Sequence, residues 1–140
     1  MATTYAAFIT ALANLTITGV TRKYALNDTP PSHINQVPAQ WVRPAGGLDH
    51  TPITFASDNA WPIHHATLIV AIESIAQNTA PANYATTVAM VDSVNAALLT
   101  AHNANTLCSE GIHWRITTGI LAMGESNNYW AVEAEVTSDG

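Results

Sequence analysis

Charge is what this sequence lacks most. Only 10% of its 140 residues are Asp, Glu, Lys or Arg, against about a quarter in ordinary soluble domains. With 4 basic residues against 10 acidic ones, a broad basic face is excluded, because too few cations exist to displace the counterions condensed on a nucleic acid. Cysteine is nearly absent as well. The lone Cys108 rules out an internal disulfide framework and is read as a small buried hydrophobe rather than a nucleophile. No apolar run approaches the ~20 residues of a membrane-spanning helix. No basic stretch leads into an apolar run at the N-terminus, so the expectation is a chain made and folded in a cytoplasm.

What is present is apolar and neutral. Hydrophobic residues make up 48%, and Ala, Thr and Asn fill the positions that charges normally occupy. Such a surface has little electrostatic protection against association, and interfaces are where charged residues are depleted. The sequence therefore points toward subunit packing. The net charge of −6 is unevenly spread. Residues 1–50 are slightly positive, with Arg22, Lys23 and Arg43 against Asp28 and Asp49. Residues 110–140 are the most acidic, with Glu110, Glu125, Glu133, Glu135 and Asp139 against Arg115.

The periodicities predict a single α+β domain over 1–140, an antiparallel sheet with two helices packed on one face. Thr3 or Thr4 can cap a first helix whose apolar positions are Tyr5, Phe8, Ile9, Leu12 and Leu15. Gly19 stops it, and Val20–Tyr24 reads as a short strand. Thr51–Phe55 is a possible strand, and Ser57-Asp58-Asn59 a turn. His64–Ile75 favours a longer strand, with Ala66, Leu68, Val70 and Ile72 on one face and Ile69 breaking the alternation. Pro81 opens the clearest helix, running to about His102. Its apolar stripe is read as Tyr84, Val88, Val91, Val94, Leu98 and Leu99, with Thr86, Ser93 and Thr100 opposite. Residues 112–137 alternate on two arms around a polar Gly124–Asn128 turn, the pattern of a β-hairpin.

Catalytic, metal and cofactor constellations are not evident. His64 and His65 are adjacent and face opposite ways on a strand. His33, His50, His102 and His113 lack zinc-site spacings. Ser57, Asp58 and His64 can be drawn as a triad, but nothing presents a nucleophile. Glu133 and Glu135 share one strand face, which reads as a solvated face. Gly46-Gly47 lacks the lysine and the flanking elements of a phosphate loop. The expectation is no catalytic, metal-binding or cofactor-binding residue.

The segment 20–47 stands apart as an extended, proline-rich excursion. Pro30, Pro31, Pro38 and Pro44 forbid one long strand or helix. Yet Tyr24, Ile34, Val37, Trp41 and Val42 are more apolar than a solvated linker sustains. The expectation is that this arm leans on its own domain or on a neighbouring subunit. The suspected interface residues are Tyr24, Pro30, Pro31, Val37, Trp41, Val42, Arg43 and Pro44.

With its short first helix ending in Ile17-Thr-Gly-Val20, the Pro30-Pro31 turn, the Val37–Pro44 segment and the strand–helix–hairpin order, the chain resembles the tail terminator (tail completion) family of long-tailed bacteriophages. That resemblance implies a structural neck protein. Six copies would form a hexameric ring that caps the tail tube and joins it to the head-side connector, with the genome passing through. It also implies a place in the virion after assembly in the host cytoplasm. No membrane, cofactor or sequence-specific nucleic acid is expected as a partner. Another head-closure or tail-tube component would share the composition. A small ligand-binding or enzymatic α+β domain would place its site near His64 and His65.

Overall fold

The computed structural model describes residues 4–25, 38–50, 62–74, 80–108, 111–122 and 128–138. Two helices, α1 (Tyr5–Ala13) and α2 (Ala80–Ala104), accompany six strands. The strands are β1 (Arg22–Lys23), β2 (Ala39–Arg43), β3 (Leu48–Asp49), β4 (Ile63–Ser74), β5 (Ile112–Ala122) and β6 (Asn128–Ser138). The sheet runs β1-β2-β4-β6-β5, and β3 also pairs with β4. It is an α+β fold, antiparallel except where β1 and β2 run parallel.

Thr4 starts α1, its hydroxyl accepting from the Ala7 amide at 3.2 Å and so satisfying one of the donors a helix start leaves open. At the other end of α1 the help comes from far along the chain. Gln40, fully buried on β2, donates from Nε2 to the Ala13 carbonyl at 3.0 Å and the Leu15 carbonyl at 2.8 Å. Carbonyls that the helix cannot pair internally are thereby tied to the sheet.

Both helices cover the same face. Phe8 and Leu12 from α1 and Met90, Val94 and Leu98 from α2 meet Leu68, Val70, Val132 and Val136 in one cluster. The strand β4 lies between β2 and β6, and it is buried on both faces. That explains why Ile69 breaks the alternation: it packs on the helix-free side with Ala39, Trp41, Ala71 and Tyr129.

One expectation needs correction. In α2, Tyr84, Val88 and Leu99 are 60%, 49% and 47% exposed, while Thr87, Met90, Val94, Leu98 and Ala101 are buried. Successive helical residues are about 100° apart, and here that turn carries Leu98 inward and Leu99 out to solvent. The helix's amphipathic axis passes through the former. The excursion also holds a regular strand, β2, in the five residues between Pro38 and Pro44, short enough that neither ring interrupts the ladder. Thr51–Phe55, Ser57–Asn59 and most of the hairpin turn fall outside the described residues.

Candidate functional site

Two adjoining histidines divide between the faces, as their spacing requires. His64 is buried on the helix side, its ring 5.4 Å from Phe8 and 5.6 Å from Tyr5. His65 faces the other way, Nε2 lying 2.8 Å from Asp49 Oδ2 and Nδ1 lying 3.3 Å from Thr137 Oγ1. Its neighbours Thr67, Glu135 and Gly46 complete a cleft of 290 Å³. The backbone between β2 and β3 makes this possible. Gly46 and Gly47 adopt φ of +94° and +61°, and His65 N donates to the Gly47 carbonyl at 2.8 Å. A Cβ at Gly46 would sit 2.7 Å from His65 Cβ. The carboxylate–imidazole–hydroxyl row thus clips β3 onto β4, with Asp49 73% open to water.

The helix-free face is apolar at one end and polar at the other. Arg43 reaches across β4 to Glu133 at 2.8 Å, and Glu135 pairs in register with Arg115. Of the residues expected to meet a neighbour, Trp41 lies inside its own chain, 7% exposed and edge-on to Tyr24 at 6.2 Å. Arg22 stacks over the same Tyr24 ring at 4.5 Å. Val42 is half-buried on the helix side, while Arg43 and Pro44 are exposed. Pro30, Pro31 and Val37 are outside the described residues.

The larger site is a rim that the sequence reading took for core. Along one flank α2 lies over β5 and β6. Asn95 Oδ1 accepts from Trp114 Nε1 at 2.9 Å, the Tyr84 ring meets Trp130 edge-on at 5.9 Å, and His102 Nδ1 accepts from the Ile112 amide at 3.1 Å. Tyr84 is nonetheless largely exposed, as are Val88 and Leu99 on α2 and Ile120 on β5, the last at 61%. Among the described residues β5 ends the sheet, eleven residues long, free of proline and carrying Arg115 as its sole Asp, Glu, Lys or Arg. Long edge strands without such blunting are templates for pairing.

The other flank of α2 is hollow. Leu15, Thr16 and Thr18 from the connection after α1 face Ser93, Ala97 and Thr100 across a groove of 640 Å³. Asp92 stands within it and is the only Asp, Glu, Lys or Arg on the whole of α2. Drawing α2 at 100° per residue around Met90, Val94 and Leu98 would have separated both flanks from the core. Compared with known protein families, curated proteins and solved structures, the chain matches none.

Proposed function

We propose that this chain is a structural virion subunit of a long-tailed phage, acting as a tail terminator does. Copies of it close into a six-membered ring that caps the tail tube and presents its other side to the head-side connector. One observation carries the assembling part of this reading: the α2–β5 rim sets exposed large apolar side chains beside the terminal strand of the sheet among the described residues, on a helix with one charge in 25 residues. Apolar area left in water is costly, and a contiguous patch rimmed by neutral residues is the signature of a surface meant to be covered. The phage assignment rests on the sequence resemblance alone. Another neck or tube component would use the same rim, and only its effect on tube growth separates the two.

The test uses the purified chain and polymerising tail tube protein. Imaging by negative stain is expected to find annular particles of the chain, and its addition to growing tubes is expected to halt lengthening with a ring at one end. Tubes that lengthen unchanged would sink the terminator role. A ligand-binding or enzymatic reading draws on the Asp49–His65–Thr137 row, and there His65→Ala would abolish a binding signal without touching assembly.

A further inference from the structure

We propose that His102 is an acid-sensitive clasp: its neutral ring holds the end of α2 to the start of β5, and a proton on that ring releases the strand. The contact lies inside one copy, so it operates whether or not the chain assembles.

A ring nitrogen that accepts a hydrogen bond carries no proton. His102 Nδ1 accepts from the Ile112 amide at 3.1 Å, so it presents its lone pair, and the ring is the neutral form with its proton on Nε2. An imidazolium has donors on both nitrogens. Its Nδ1–H would face the Ile112 N–H, donor against donor, and the bond cannot survive that. Histidine is the side chain that changes charge within about pH 5 to 8.

The surroundings direct the release toward β5. The turn after α2 is closed without the ring. Asn105 sits at φ +55°, its amide donating to the His102 carbonyl at 3.2 Å and the Thr106 amide to the Ala101 carbonyl at 3.1 Å, a pairing that ends helices at a left-handed residue. His102 lies in the last turn of α2, where the helix dipole favours a cation. The protonated ring is thus accepted by the helix and refused by the strand amide. Seven residues earlier, Asn95 Oδ1 accepts from Trp114 Nε1 at 2.9 Å, and the Trp114 ring meets His102 edge-on at 6.1 Å. So α2 holds β5 by one hydrogen bond that acid breaks and by another that it leaves. On the elements around His102, the described residues that carry charge or titrate near neutral pH are Asp92 on α2, Cys108 in the connection, His113 and Arg115 on β5, and Glu133 and Glu135 on β6. Asp92 is ten residues away, about 15 Å along the axis. His113 and Arg115 alternate with Ile112 and Trp114 to the other face of the sheet, which Glu133 and Glu135 share in register. Glu110 and Asp139 fall outside the described residues.

Hydrogen exchange of the intact chain, followed residue by residue by NMR and divided by the unstructured rate at each pH, tests the clasp. Between about pH 8 and about pH 5, protection of the Ile112 amide is expected to fall about tenfold, while the Trp114 indole proton keeps its protection. In His102→Asn an amide oxygen stands near the place of Nδ1 and accepts without titrating, so Ile112 protection is expected to stay level. If that variant does not fold, the wild-type chain decides alone: the midpoints of the His102 ring shift and of the Ile112 loss must coincide, and distinct midpoints overturn the clasp. Protection at Ile112 that stays level in the wild type, or that is lost equally in His102→Asn, would overturn it. So would joint loss of amide and indole protection, since that is opening of the whole fold rather than release of one contact.

Discussion

At the scale of single residues, the side chains that matter most join elements distant in sequence. Gln40 is one. Replacing it by Leu removes both donors from the Ala13 and Leu15 carbonyls and should cost about 1–3 kcal/mol, read by denaturant unfolding. Trp41 is another. Because it is buried within its own chain, Trp41→Ala should destabilise the isolated subunit by about 3–5 kcal/mol; unchanged unfolding with lost assembly would show that its burial belongs to a neighbour. Tyr5 donates to the His65 carbonyl at 2.9 Å, and burial raises its pKa above the usual 10.0. Its folded state thus holds the proton more tightly than the unfolded chain does. The stability this confers is complete below pH 10 and falls as pH rises through the folded pKa. Tyr5→Phe should cost about 1 kcal/mol at neutral pH and remove that alkaline loss, which a stability–pH series would reveal. Gly46→Ala should cost about 1–3 kcal/mol, since φ is positive there and the new methyl meets His65.

At the scale of elements, the contrast inside α2 is the sharpest test of the fold. Leu98→Ala should lose about 2–5 kcal/mol, because Leu98 is fully buried between helix and sheet. Leu99→Ala, one residue on, should change subunit stability by less than about 0.5 kcal/mol while weakening assembly. Comparable losses at both positions, measured by thermal unfolding under dissociating conditions, would mean the exposed flank is wrongly placed. The same helix shows where legibility ended. β4, α2, and the β5–β6 hairpin were readable because period and length agreed over ten or more residues. The stripe was blurred because Tyr84, Val88 and Leu99 are apolar yet serve the surface, so hydrophobicity alone pointed inward. β2 was hidden by its flanking prolines, and its place between β1 and β4 is set by pairing between distant segments, which no local pattern encodes. The groove was invisible for the same reason. It exists only where residues 15–18 come to face α2.

At the scale of the whole molecule, the charge of the chain sets the salt response that the proposed assembly should show. A net −6 opposes association over distances comparable to the Debye length, about 8 Å at physiological ionic strength. An uncharged apolar contact has no ion pairs to lose when salt is added. Raising salt should therefore tighten self-association, opposite to an assembly held by surface salt bridges; sedimentation at two ionic strengths checks the sign. Among the described residues β5 is the last strand of the sheet and α2 lies beside it, so a single side of the subunit offers apolar area along both elements. The central claim is that this side is covered by another copy in a closed ring. Native mass measurement of the wild-type chain across a concentration series tests it most directly. The account predicts one dominant species of six chains with a discrete upper limit, whereas a monomer at every concentration, or an open-ended ladder of sizes, would contradict it.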